Sequence, residues 1–444
     1  MKRKHTRFFA AVMIICLIMV MVPGAALAET SAQRGVYLAL GDSISTGYGL
    51  ETPETESFVN LVAAEKEYTI VYNEAVNGNT TEGILDQLKS GELDGKLKAA
   101  DLVTITVGGN DLMFPLYEQI AAVYNTLYKK ASEEALTGSG FTEFVSNGLS
   151  LFTLLDLLDS AMMVLQGPEY NGIETMDPEV LRTLFGEEVK CFVESDGFLN
   201  KLEEYRQNLN EIFRSILEEN PEVRVIITTQ YNPYESFVKA DDAPEAAVVL
   251  QESIKDGAEI LNDVIESVVE ELNTENIYIA NEVYNEFAES EENLCNAAIL
   301  GTDIELDFHP NAAGHAKMAE IILSLMDECG IEPEELTVKD MKAILSTVKL
   351  TTKSKLVKVK DKSAIQLSWK APESVSLDGY EVFRSTKKNN GYGTEPIFET
   401  GKTSYKNTSV KKNRTYYYKV RGYVEFEGKR VYTPWSTKAY RRIK

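Results

Sequence analysis

Apolar positions follow two periods along the first three quarters of the chain. Val36-Tyr37-Leu38-Ala39-Leu40, Tyr68-Thr69-Ile70-Val71-Tyr72, Leu102-Val103-Thr104-Ile105-Thr106-Val107 and Val223-Arg224-Val225-Ile226-Ile227-Thr228-Thr229 are short apolar or β-branched runs, with Ile277-Tyr278-Ile279-Ala280 a last, shorter one. Runs of this kind suit strands buried on both faces. Between them the spacing turns helical. Phe58–Lys66 reads as a helix, and Thr81–Leu93 places Ile84, Leu85 and Leu88 on one face. A long helix carries Leu250, Ile254, Ala258, Leu261, Ile265, Val268 and Leu272 on one stripe. Asn311 is a fair N-cap for a helix running to about Met326. Strands alternating with helices predict a parallel sheet covered on both faces. Ligands of such sheets sit beyond the carboxyl ends of the strands. Three of those ends carry polar or Gly-rich turns: Gly41-Asp42-Ser43, Asn73 to Thr80, and Gly108-Gly109-Asn110-Asp111.

Residues 112–221 read as a largely helical insertion, in which Leu202, Tyr205, Leu209, Ile212, Phe213 and Ile216 keep helical spacing. Within it Leu149–Leu165 is unusually apolar, broken mainly by Asp156 and Asp159. That stretch is either a cap over a pocket for a greasy substrate or an ordinary buried helix. Glu332-Pro333-Glu334-Glu335 marks a domain edge, and Thr337–Leu345 reads as a short connecting helix within a linker at 331–348. From Lys353 onward the period becomes two. Ile365–Trp369, Gly379–Arg384 and Tyr416–Arg421 alternate, which predicts a small antiparallel sandwich over 349–444. The expected organisation is therefore a sheet domain at 32–330 followed by an all-β domain.

A chain of 444 residues with 44% hydrophobic content exceeds a single core, which agrees with two domains. Residues 1–28 stand apart. Lys2, Arg3, Lys4 and Arg7 precede an apolar run from Phe8 to Val22, and Ala26-Leu27-Ala28 is a small-x-small cleavage site. This is the pattern of a secretory signal peptide, cleaved before Glu29, with a retained anchor as the alternative. The expected location is secreted or extracellular, with cell-surface association open. Residues 29–348 hold 18 Lys and Arg against 61 Asp and Glu, whereas residues 349–444 hold 23 against 8. The acidic part repels nucleic acid, so no nucleic-acid partner is expected. The basic module either contacts an anionic wall polymer or carbohydrate, or is a spacer with a solvated face. Cys191, Cys295 and Cys329 remain after signal removal, compatible with one disulfide or none. No Cys/His spacing suggests zinc.

Composition also limits the chemistry. A serine needs a base to take its proton, and near neutral pH that base is usually histidine. The chain has 3 His, and His5 lies in the signal region. A serine hydrolase built from the mature chain must use His309 or His315. Asp307 and Glu305 lie close to His309 and are candidates to orient it. Donors for an oxyanion are available from the Ser43 N–H, the Gly78 N–H and the Asn110 amide, each typically worth ~2.7–4 kcal/mol of barrier.

Gly41-Asp42-Ser43, Asn73-x-Ala75 with Gly78, Gly108-Gly109-Asn110-Asp111, and His309-Pro310-Asn311 with Gly314-His315 occur in the order of the conserved blocks of SGNH hydrolases. Over about residues 34–328, the insertion excepted, the chain resembles that family, the GDSL-type esterases and lipases. The resemblance implies a flavodoxin-like three-layer α/β/α domain. It also implies Ser43 as nucleophile, His309 as base and then acid, an oxyanion hole of Ser43, Gly78 and Asn110, and no metal or organic cofactor. The family often places its aspartate three residues before the histidine, where this chain has Leu306. Asp307, two before, is taken as the third member, with Glu305 and Asp303 in reserve. Trp369, Gly379–Val382 and Tyr416–Val420 resemble the core of a fibronectin type III module.

Other polar residues have plainer readings. His315 reads as a capping or packing residue, Asp42 and Asp111 as turn residues, and Glu51, Glu54 and Glu56 as a solvated edge. Asn79 and Thr80 either line the pocket or cap a helix. The expected function is a secreted serine esterase or lipase acting on a small-molecule or lipid ester. A carbohydrate or wall O-acetyl esterase, and an inactive wall-binding protein, are the alternatives.

Overall fold

The five apolar runs form one parallel sheet. A computed structural model describes residues 34–113, 115, 195–236, 245–300, 303–305, 307–360, 362–370 and 375–444. The signal region, the 149–165 stretch, Cys191 and most of the 112–221 insertion lie outside them. Strands β1 (Val36–Gly41), β2 (Ile70–Asn73), β3 (Leu102–Thr106), β4 (Arg224–Thr228) and β5 (Ile277–Ala280) pair in the order β2-β1-β3-β4-β5. That is the flavodoxin-like order, with the switch between β1 and β3. Register is direct: Leu38 opposes Tyr72 on one side and Val103 on the other.

Successive strand residues point to opposite faces. Leu38, Leu40, Val103, Ile105, Val225 and Ile227 face one core, against helices α3 (Thr81–Lys89), α5 (Asp196–Glu219) and α6 (Glu245–Leu272). Tyr37, Ala39 and Ile226 face the other, against α2 (Phe58–Glu65) and α7 (Ala312–Cys329). The sheet strands and these helices make a three-layer α/β/α arrangement. Helix α3 stops at Lys89, short of the expected Leu93: Ser90 caps it and Gly91 takes a left-handed φ of 72°. A separate turn, α4 (Asp94–Leu97), follows.

Connecting residues 331–348 hold a packed helix, α8 (Val338–Ser346), with Thr337 and Asp340 forming a capping box. Its Met341, Ile344 and Leu345 are buried. From Thr351 the chain is antiparallel. One sheet is β12-β9-β8 (Ser404–Asn407, Lys362–Lys370, Thr351–Val359). The other is β11-β10-β13-β14 (Phe398–Thr400, Gly379–Ser385, Thr415–Phe426, Lys429–Tyr432), with β15 (Ala439–Arg442) beside β13. Together they form a β-sandwich. Trp369 lies in its core, its ring edge-on to Tyr380 at 5.4 Å. Strand β10 departs from simple alternation, since Phe383 and Ser385 are buried on the face opposite Tyr380 and Val382. Glu381 is buried on that same face, where Arg421 at 2.7 Å and Arg430 at 3.2 Å neutralise it.

Candidate active site

The site is assembled at the carboxyl ends of β1 and β3. Gly41 closes β1 with a φ of 126°, and a Cβ there would lie 2.2 Å from the Thr106 carbonyl oxygen. Only glycine lets the two strand ends approach this closely. The Asp42 N–H donates to that same carbonyl at 3.1 Å. Asp42 then caps the short helix α1 (Ser43–Thr46), its Oδ1 accepting from the Ile44 N–H at 3.0 Å and from Thr106 Oγ1 at 2.8 Å. Ser43 is therefore the first helical residue, and helix geometry leaves its N–H without an intrahelical partner. Asn73 Nδ2 donates to the Ser45 carbonyl at 2.6 Å and clamps α1 from the end of β2.

His309 reaches Ser43 from a segment 266 residues further along the chain. His309 Nε2 stands 2.9 Å from Ser43 Oγ, and both side chains are buried. Pro310 and the Asn311 N-cap of α7 hold the histidine just outside helical geometry. Its backbone pairs with residues 294–296: the Asn296 N–H donates to the His309 carbonyl at 2.9 Å, and the Asn311 N–H to the Leu294 carbonyl at 3.0 Å. Asp307 Oδ1 lies 2.5 Å from His309 Nδ1 and also accepts the His309 N–H at 3.2 Å. The two-residue spacing thus brings carboxylate and imidazole together through a tight local turn. Asp303 and Glu305 fall on a separate strand, β7 (Asp303–Glu305), paired with β6 (Ala298–Leu300).

Burial pushes the Asp307 carboxyl up, but hydrogen bonds from the His309 ring and N–H and from Asn296 outweigh it and hold the group below its ordinary value. Ionised Asp307 keeps the proton on Nδ1, so Nε2 is the face that accepts from the Ser43 hydroxyl. Asp42 and Asp111 behave differently. Burial pushes each up to about 6 against the hydrogen bonds they accept. Asp111 holds the start of α3, accepting from Thr81 Oγ1 at 2.5 Å. His315 is fully buried, its Nδ1 accepting from the Phe58 N–H at 3.3 Å at the start of α2. Desolvation pushes it down to about 4, which keeps it neutral.

Asn110 lies beside Ser43, and its amide donates to the Asn79 carbonyl at 2.9 Å. An amide has two hydrogens, so one is left for a ligand. Gly78 sits in the turn that flanks α1, with a φ of 76°. On either side of it, Thr46 Oγ1 donates to Asn77 Oδ1 at 2.6 Å, and the Asn79 N–H closes onto Val76 at 3.0 Å. Thr80 caps α3, and Asn79 Nδ2 contacts the Gly41 carbonyl at 3.4 Å. Glu51 and Glu54 are exposed, and Glu56 is half-buried.

Three contributors carry no sequence motif. Asn296 Nδ2 donates to Asp307 Oδ2 at 3.2 Å and fixes the second carboxylate oxygen. Tyr48 lays its half-exposed ring against His309 at 4.7 Å. Gly49, at a φ of 90°, leaves room beside Asn296, since a Cβ would meet its Nδ2 at 2.9 Å. The glycines bracketing Tyr48 were the one hint available; Asn296 had none. Cys295 and Cys329 carry free thiols, and burial pushes the Cys295 thiol up, away from a nucleophilic thiolate.

A pocket of about 130 Å³ opens directly beside Ser43. Its described walls are mostly apolar, including Ile44, Leu112, Phe198, Tyr234, Leu261 and Phe308. Among the described residues no three His, Cys, Asp or Glu side chains converge on a common point.

Residues 39–153 match the model of the GDSL-like Lipase/Acylhydrolase family, so the chain carries a GDSL-like acylhydrolase domain. Over 92 residues it is 38% identical to the Uncharacterized protein YpmR of Bacillus subtilis (strain 168). That match covers 19% of this chain and spans only 35% of the relative's length. Among solved structures it is similar to phospholipase A1 from Streptomyces albidoflavus NA297, at 18% identity and a TM-score of 0.38, over 66% of this chain and 99% of that one. It is also similar to an Fn3-like protein from Clostridium thermocellum, at 25% identity and a TM-score of 0.17, over 22% of this chain and 91% of that one.

Proposed function

We propose that this protein is an exported serine esterase that hydrolyses carboxylic esters bearing an apolar acyl chain. The observation that carries this reading is the 2.9 Å approach of His309 Nε2 to Ser43 Oγ, at the mouth of a largely apolar pocket. His309 takes the Ser43 proton as Oγ attacks the ester carbonyl carbon. The carbonyl oxygen gains negative charge, which the N–H groups of Ser43 and Gly78 and the free Asn110 amide hydrogen stabilise. Collapse of the tetrahedral species expels the alcohol, which leaves with the proton returned by His309. Water then attacks the acyl-enzyme with His309 again as base, releasing the acid and restoring Ser43. Asp307 holds the imidazole in the tautomer and orientation this cycle needs.

The apolar walls favour an acyl chain over an acetyl group on a carbohydrate. Export rests on the signal pattern of residues 1–28, and contact of the basic C-terminal module with an anionic wall polymer rests on its charge alone. The test is a fluorophosphonate probe on the mature protein, followed by turnover of p-nitrophenyl esters. Labelling is expected at Ser43, and Ser43→Ala is expected to abolish both labelling and turnover, a loss of about 10⁴-fold or more. Full activity in Ser43→Ala sinks the mechanism. An ester series that peaks sharply at acetate transfers the proposal to an O-acetyl esterase.

A further inference from the structure

Helix α6 contributes Ile254, Gly257, Ala258 and Leu261 to the pocket wall beside Ser43, the i, i+3, i+4, i+7 set of one helical face. Gly257 is out of place there. Glycine in a helix interior is among the least favourable residues, because it gives up the most backbone freedom. Local structure does not ask for it. Gly257 is absent from the positive-φ glycines, and among the described residues a Cβ added at Gly257 meets no heavy atom within 4 Å. Gly314 on α7 is the contrasting case, because a Cβ there would lie 2.1 Å from the Leu294 carbonyl oxygen. Among the described residues, the volume a side chain would fill at 257 is open and belongs to the pocket.

We propose that Gly257 is the specificity-determining residue of this pocket: by lacking a side chain it leaves the depth that a long acyl chain occupies when its ester carbonyl is at Ser43. The inference rests on the esterase reading above. A larger residue at 257 projects into the pocket without displacing backbone. It shortens the preferred acyl group and leaves the hydroxyl–imidazole pair where it is.

The experiment measures kcat/KM of the mature full chain for p-nitrophenyl acetate, butyrate, octanoate and palmitate, with Gly257→Ala and Gly257→Leu alongside and a thermal unfolding scan of each. For Gly257→Leu the octanoate-to-acetate ratio is expected to fall at least about tenfold, since each methylene lost from an apolar pocket changes discrimination by that order. Gly257→Ala is expected to lower the ratio by about twofold or more and to raise Tm, as replacement of a helix glycine should. General damage would lower both esters and leave the ratio in place. If Gly257→Leu melts early, Gly257→Ala carries the test. An unchanged ratio in a folded variant overturns the proposal. If the unsubstituted chain labels at Ser43 and turns over esters while the ratio stays flat, the depth assignment alone fails. If the unsubstituted chain hydrolyses no ester, the esterase reading fails and this inference with it.

Discussion

At Asp307 the position of one carboxylate decides whether His309 can work. One oxygen meets Nδ1 at 2.5 Å and the other is held by Asn296 at 3.2 Å. Asparagine at 307 keeps the shape but can present an amide hydrogen to Nδ1, which favours the wrong tautomer. Asp307→Asn is expected to lower kcat by up to about 10⁴-fold with KM little changed, measured on a p-nitrophenyl ester. Asp101 shows the opposite environment. Burial pushes its carboxyl up to about 6, with Glu334 and Asp340 adding repulsion, against the hydrogen bond it accepts from the Val36 N–H. A carboxyl whose folded-state pKa lies above its ordinary 3.8 binds its proton more tightly in the folded protein. Its contribution to stability is complete below that ordinary value and is lost as pH rises through about 6. The Tm difference between Asp101→Asn and the unsubstituted protein should therefore become more positive from about pH 4 to about pH 7. A flat difference across that window would count against the shift.

At the level of elements, the chain's local pattern and its folded form agree where burial is two-sided. β1, β3 and β4 are continuous apolar runs because both faces are covered, and such runs are legible without context. The Asn311 N-cap was equally legible, and capping was one of two readings for Thr80, since a cap depends on the next three residues alone; Asp42, read as a turn residue, and Thr337, read as the first helical residue, are caps as well. The hairpin of β6 and β7 was not, because its three-residue strands are too short to show a period. Nor was the burial of Glu381, whose environment is made by Arg421 and Arg430 from other strands. The residues 294–296 that pair with His309 carry no strand signature. The Asn296 N–H and the Leu294 carbonyl find their partners in His309 and Asn311, a segment they meet only in the fold.

Across the whole molecule, the site and the C-terminal sandwich occupy different ends of the parallel sheet. Ser43, Asn110 and His309 gather beyond the strands' carboxyl ends. Helix α8 leads into the sandwich and packs near their amino ends, where the Gly35 N–H donates to the Glu334 carbonyl at 2.7 Å. The contact is apolar: Met341, Ile344, Leu345, Val348 and Leu350 join the core cluster that also holds Val431 and Ile443. Lys349 and Glu92 cross it at 2.8 Å, both largely exposed, so charge attraction adds little to it. The packing is tight at α4, where a Cβ on Gly95 would lie 2.8 Å from the Ala343 carbonyl oxygen and 2.5 Å from Thr347 Cγ2. Gly95→Ala is expected to destabilise the chain by about 1–3 kcal/mol in denaturant unfolding. On the proposed function, its kcat on esters should match that of the unsubstituted protein, because the site lies at the other end of the sheet. A fall in kcat at full stability would show that the sandwich influences the site.

The sequence by itself determined which groups were available: one serine at a Gly-Asp-Ser turn, two histidines beyond residue 28, and strands and caps whose signals are local. It left open which carboxylate meets His309, what fixes that carboxylate's second oxygen, and how deep the pocket runs. Those are distances between segments far apart along the chain, and they are set by how sheet and helices pack. Local preferences act over a few residues, whereas a 2.9 Å contact between Ser43 and His309 exists only once the whole sheet has closed around it.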